Sequence, residues 1–162
     1  MDFHPHEYQE IAIQRIIDNT HYGLLLDMGL GKTISTLIAI ERLMYDYFDI
    51  KKVLLIAPKK VAESTWAQET QKWSATRRLT VAKVLGSEKE RIHALESESD
   101  LYVINRENVQ WLYEYYHKKK SFPFDMLVID ESSSFKNPQA KRFKAIRKLR
   151  PLFKRIVILT GT

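Results

Sequence analysis

Six short runs rich in β-branched and aliphatic residues recur along the 162-residue chain, at Gly23–Leu26, Val53–Ala57, Thr80–Val84, Leu101–Ile104, Met126–Asp130 and Arg155–Leu159. Several are apolar throughout rather than alternating, the pattern of strands covered on both faces. Longer segments with helical spacing lie before and between them: Glu7–Ile17, Thr33–Met44, Ala62–Trp73, Asn105–His117 and Pro138–Leu149. Pro138 suits the first turn of the last helix, with Asn137 as its N-cap, and Pro151 helps to end it. Strand and helix in alternation specify an α/β domain on a mostly parallel sheet, and right-handed crossovers place helices on both faces. Ligands of such sheets bind beyond the C-terminal ends of the strands.

The length is that of one domain, and 44% apolar with 28% charged residues is the balance of a globular chain. No cysteine is present, which excludes disulfide frameworks and thiolate metal or redox sites. No apolar run approaches the ~20 residues that span a bilayer, and the N-terminus lacks the pattern of a secretory signal. The expected compartment is therefore the cytoplasm. The formal charge of +6 is unevenly distributed: residues 1–99 hold 13 Lys and Arg against 14 Asp and Glu, and residues 100–162 hold 13 against 6. Nine basic and no acidic residues lie between Lys136 and Arg155. That stretch reads either as a solvated helix face or as a surface for a phosphate backbone.

After the first strand comes Leu26-Asp27-Met28-Gly29-Leu30-Gly31-Lys32-Thr33, and then a helix. Gly29 and Gly31 let the backbone turn so that its N–H groups, through Met28 to Gly31, point at an anion. Lys32 supplies a cation for β- and γ-phosphates. The Thr33 hydroxyl suits Mg²⁺, and the helix N-terminus adds its dipole. The strict phosphate-loop pattern has Gly where this chain has Leu26. A Gly-rich turn without a ligand is the plain alternative; Gly-x-Gly-Lys-Thr between strand and helix argues against it.

Met126-Leu127-Val128-Ile129-Asp130-Glu131 is an apolar strand ending in two carboxylates. Alone, such a pair reads as readily as a helix cap. At the same end of the sheet as a phosphate loop, Asp130 suits Mg²⁺ and Glu131 suits the water that attacks a γ-phosphate. A nucleoside triphosphatase is favoured over a kinase or a GTPase; the Asn-Lys-x-Asp guanine reader is absent.

These residues resemble the first RecA-like lobe of superfamily 2 helicases and translocases, in particular the Swi/Snf-type DNA-translocating ATPases in their short phage and bacterial form. Pro5-His6-Glu7-Tyr8-Gln9 looks like the entry motif in which Gln reads adenine. Asp27 to Thr33 matches motif I. Ala57-Pro58 through Trp66, Glu69, Lys72 and Trp73 matches the extended motif Ia, a spacing hard to obtain by chance. Asp130 to Asn137 matches motif II, and Leu159-Thr160-Gly161-Thr162 matches motif III. Ser133 departs from the usual His, so coupling to motif III must use hydroxyls or another contact. Asn105-Arg106-Glu107 departs from the usual Thr-Tyr-Glu or Ser-Tyr-Glu.

The resemblance implies a three-layer RecA-like fold over residues 1–162, with ATP and Mg²⁺ as cofactors. It implies phosphate binding by Lys32 and the loop, metal binding by Thr33 and Asp130, and water activation by Glu131. Ser133, Thr160 and Thr162 would couple nucleotide state to DNA. Lys59, Lys60, Ser64, Asn105, Arg106 and Thr162 would contact the DNA backbone without reading sequence. The expected activity is a DNA-dependent ATPase and translocase in a bacterial cell or a phage-infected host. The alternatives are a non-hydrolysing nucleotide-dependent nucleic-acid-binding module and an RNA-directed helicase of the same superfamily. A C-terminal RecA-like lobe of the same protein is the expected partner, with the chain ending between lobes. The basic stretch would flank the DNA or face that second lobe. Trp66 and Trp73 read as core and interlobe packing, His4 and His6 as surface groups. The cluster from Trp111 to Lys120 reads as an amphipathic helix with a solvated end, or as a stacking surface for nucleic acid.

Overall fold

The computed structural model describes residues 1–25, 31–131 and 141–160. Among them the order is α1 (Glu7–Asp18), β1 (His21–Leu25), α2 (Lys32–Glu41), β2 (Val53–Ala57), α3 (Trp66–Lys72), β3 (Val81–Val84), α4 (Glu88–Glu96), β4 (Leu101–Asn105), α5 (Val109–Lys119), β5 (Met126–Glu131), α6 (Lys141–Leu149) and β6 (Arg155–Thr160). Single π-helical turns continue α2 at Arg42–Asp46 and precede α3 at Val61–Thr65. The six strands form one sheet in the order β1-β6-β5-β2-β4-β3, and every neighbouring pair is parallel.

Alternate residues of the central strands feed two cores, because successive side chains of a strand point to opposite faces. Val53, Leu55, Val103, Met126, Val128 and Val157 pack with Ile13 and Ile16 of α1, Leu37 and Ile40 of α2 and Trp66 of α3. Leu54, Ile56, Ile104, Leu127, Ile129 and Ile156 pack with Leu95 of α4, Leu112 and Tyr116 of α5 and Ile146 and Leu149 of α6. The result is three layers, with α1–α3 on one face and α4–α6 on the other. Burying aliphatic side chains on both faces contributes ~1.5–3 kcal/mol each, which is why the strands read as unbroken apolar runs.

Helix α4 has no counterpart among the sequence-derived segments. Leu95 is its one buried residue, so it shows no apolar stripe. Its signal is local instead. The Ser87 hydroxyl accepts the Glu90 N–H, and the Glu90 carboxylate accepts the Ser87 N–H, which is a capping box. The segment expected from Asn105 opens as a 3₁₀ turn at Arg106–Asn108 before α5 begins. Asn137 and Pro138 lie outside the described residues.

The basic stretch does not act as one surface. Lys154 Nζ lies 2.6 Å from Asp49 Oδ1 and Arg155 Nε 2.6 Å from Asp49 Oδ2. Arg155 Nη1 also donates to the carbonyls of Ile16 and Ile17, at 3.1 and 3.0 Å. Its last two cations thus join the start of β6 to the end of α1 and to the loop before β2. Both cations have an internal carboxylate partner, and Lys154 remains exposed.

Candidate nucleotide site and nucleic-acid face

The register brings the C-terminal ends of five strands into one line. Leu25 pairs with Thr160, Thr160 with Glu131, Ile129 with Ile56, and Ala57 with Asn105. Motifs I, Ia, II and III follow or end strands at this edge, where the ligand rule for parallel sheets places a site, whereas the entry motif opens α1.

Gly31 precedes α2 with φ +77°, the left-handed conformation, and its carbonyl accepts the Ser35 N–H at 2.9 Å. A Cβ built on Gly31 would stand 2.2 Å from Gln9 Nε2. Gln9 is a buried residue of α1, and its Oε1 accepts the His6 N–H at 2.9 Å, within the capping box that starts the helix. The residue expected at the adenine edge therefore sits directly against Gly31, and the lack of a side chain there is what lets the two meet.

Lys32 begins α2, and its carbonyl accepts the Thr36 hydroxyl at 2.7 Å. Across the site, Lys32 Nζ lies 3.9 Å from Asp130 Oδ1. That is an ion pair but not a hydrogen bond, so Asp130 does not consume the donors of the ammonium. Asp130 is only 8% exposed. Its Oδ2 accepts the indole N–H of Trp66 at 3.0 Å, and its carbonyl faces Arg106 Nη2 at 3.4 Å. Met126, Val128 and Asp130 share one face of β5, so Asp130 points into the layer that holds α2 and α3.

The Asp130 carboxylate at the end of β5 and the Thr33 hydroxyl in the first turn of α2 are hard oxygen donors, and the Lys32 ammonium lies beside the carboxylate. That chemistry fits Mg²⁺, which takes one or two carboxylates and completes its shell from substrate phosphate and water. Among the described residues no cluster of three or more His, Asp or Glu forms an all-protein metal cage. Glu131 and Thr160 stand side by side in register at the ends of β5 and β6. Met28, Gly29, Leu30, Ser133 and Thr162 lie outside the described residues.

On the nucleic-acid side, Lys59 and Lys60 are exposed just beyond β2, and Ser64 lies one turn further on. An open groove of about 600 Å³ is lined by Lys59, Lys83, Arg91, Asn105 and Asn108, and also by Glu63 and Glu90. Asn105 Nδ2 donates to Glu107 at 2.9 Å, and its Oδ1 accepts from Asn108 at 2.7 Å, so the amide closes its own turn as it lines the groove. Arg106 corrects the expectation of a surface contact. It is 4% exposed and faces the backbone of β5. Its place leaves no surface guanidinium for a phosphate.

Sequence reasoning did not pick out Lys83 or Arg91. Arg91 is held by stacking over Trp111, 4.5 Å from the ring centre, and by donating to the Gly86 carbonyl at 2.7 Å. The spacing carried no sign of this because it depends on α4. Nor did the sequence show that Trp66 reaches Asp130. Trp73, seven residues later, bonds Glu69 at 3.0 Å and meets Phe3 edge to face at 5.3 Å, anchoring the N-terminal segment.

Comparison with known proteins gives the family and the fold. A family model for the SNF2-related domain matches residues 8–162. A phage protein of an Acyrthosiphon pisum secondary endosymbiont, "Putative protein p41", is 35% identical over 99% of this chain, which spans 36% of that protein. The yeast nuclear protein STH1/NPS1 is 32% identical over 96% of this chain, which spans 12% of it. Among solved structures, the Sulfolobus solfataricus SWI2/SNF2 ATPase core in complex with dsDNA superposes with a TM-score of 0.75 at 23% identity, over 100% of this chain and 33% of that one. The UvsW helicase of bacteriophage T4 gives 0.75 at 18% identity, over 99% of this chain and 53% of its own. The chain thus has the RecA-like fold of helicase lobes and covers about a third of the phage relative. Among the described residues no helix is long and apolar enough to cross a membrane. With the family model matching nearly its full length, the chain belongs to the SNF2-related domain family.

Proposed function

We propose that this chain is the N-terminal, ATP-binding lobe of a DNA-dependent ATPase that couples hydrolysis to movement along DNA. The observation that carries the reading is the approach of Lys32 to Asp130 across the strand edge. It brings a residue of motif I and a residue of motif II together at a distance longer than a hydrogen bond. In this reading Lys32 and the amides of Met28, Gly29, Leu30 and Gly31 bind the phosphates, and Gln9 contacts the adenine. Thr33 and Asp130 hold Mg²⁺, which neutralises charge on the β- and γ-phosphates when bound. Glu131 polarises the attacking water and takes its proton. Ser133, Thr160 and Thr162 report the nucleotide state. Lys59, Lys60, Ser64 and Asn105 meet the sugar–phosphate backbone, joined by Lys83 and Arg91 across the groove. A second RecA-like lobe closes the site.

The test is ATP hydrolysis by the full-length protein with and without DNA. DNA should stimulate turnover, and Glu131→Gln should lower it by a factor on the order of 10²–10⁴. Undiminished hydrolysis in that variant would remove Glu131 from its role. The 162-residue chain alone should bind nucleotide weakly and turn over poorly; vigorous DNA-stimulated turnover by it would contradict the two-lobe reading.

A further inference from the structure

The geometry points to Trp66 as a positioning residue for the Asp130 carboxylate: its indole N–H holds Oδ2, so that Oδ1 stays turned toward Lys32. The inference rests on the nucleotide-site reading above and adds a residue role to it.

Trp66 is fully buried among the apolar side chains of the α1–α3 face, with Ala57, Ala62 and Val128 in the same core. An indole in such packing has few alternative orientations. Its nitrogen is a donor only, so the bond selects an acceptor oxygen on Asp130. At 3.0 Å it is a full hydrogen bond, whereas the Lys32 contact on the other oxygen, at 3.9 Å, is not. One oxygen of the carboxylate is thus fixed by the core, and the other faces the site. Ligating carboxylates held by an outer partner are the general design of metal sites. Here the partner comes from motif Ia, so α3 is tied mechanically to the nucleotide edge. The same helix follows Lys59 and Lys60 on the proposed DNA face. Displacement of α3 by DNA would therefore reach Asp130 through a single hydrogen bond.

Trp66→Phe removes the donor and keeps most of the packing. The readout is binding of a fluorescent ATP analogue to the protein, titrated with Mg²⁺ and repeated in EDTA. Trp66→Phe should raise the Mg²⁺ midpoint by about tenfold or more and leave EDTA binding at the wild-type value. Trp73→Phe is the matched control. It deletes an indole N–H bonded to a carboxylate outside the site, Glu69, and should leave the midpoint in place. In an Asp130→Ala background, which leaves the indole N–H no side-chain oxygen to hold, Trp66→Phe should add no further shift, which a merely structural role for Trp66 would not produce. If Trp66→Phe does not fold, a benzothiophene in place of the Trp66 indole keeps the bicyclic shape without the N–H and is read instead. A Mg²⁺ midpoint unchanged in the donor-less protein overturns the proposal. Absence of Mg²⁺-dependent binding in the wild type overturns the nucleotide-site reading, and this proposal with it.

Discussion

Gln9 Nε2 occupies the space that a side chain on Gly31 would need, 2.2 Å from the ideal Cβ position. Gln9 of the entry motif and Gly31, next to Lys32, are therefore packed together, although they lie 22 positions apart in the chain. Gly31→Ala has two costs: left-handed backbone for an L-residue, about 1–2 kcal/mol, and the collision with Gln9. It should lower the melting temperature and weaken ATP-analogue binding together. Adding Gln9→Ala should restore part of the stability by removing the collision, but not the backbone cost. Full recovery in the double variant, or no loss in the single one, would contradict this account.

Asp49 gathers Lys154 and Arg155 at the opposite edge of the sheet. The hydrogen bonds from Lys154 and then Arg155 hold its carboxyl below the ordinary value of 3.8. A carboxyl whose folded pKa is lowered contributes stability above its unfolded pKa and loses it as pH falls through the folded one. The pair should therefore support the fold at neutral pH and fail below about pH 4. Asp49→Asn should cost about 1–2 kcal/mol at pH 7 and converge with the wild type at low pH. Melting temperatures across that range decide the matter; a constant difference down to pH 2 would exclude the linkage.

Ser87 and Glu90 cap α4 reciprocally, and the Ser87 bonds lower the Glu90 pKa. Ser87→Ala should cost roughly 1 kcal/mol. The loss should appear as faster amide exchange confined to α4, with the sheet unaffected. Because Arg91 projects from this helix into the groove, weaker DNA binding should accompany the fraying. Uniform exchange along the chain would mean that α4 does not open on its own.

Strands and motifs were legible because each has a strong local cause. Residues covered on both faces must be apolar throughout, and a phosphate loop must have Gly before its Lys. The helices that carry a broad apolar stripe, α1, α2 and α5, were legible for the same reason. Helix α4 was not, because one buried leucine leaves no period and only the capping box announces it. Arg106 was misread because its charge suggests surface, whereas its place beneath β5 depends on packing that no spacing encodes. Trp66 was assigned to packing. That is half its role, since its bond to Asp130 joins residues 64 positions apart.

The contrast between Lys59 and Arg106 separates surface contact from internal support. Lys59 is exposed and lines the groove. Lys59→Ala should leave stability within about 0.5 kcal/mol. It should weaken DNA binding about equally for every sequence and reduce the slope of log K against log salt by about 1. Arg106→Ala removes a buried charged donor facing the β5 backbone and should cost about 2–3 kcal/mol. At temperatures where it remains folded, its salt slope should match the wild type, because no counterion is released at a buried guanidinium. Denaturant melts and salt-dependent DNA titrations on both variants give the two readouts. A reduced slope in the Arg106 variant without loss of stability would return that residue to the DNA face.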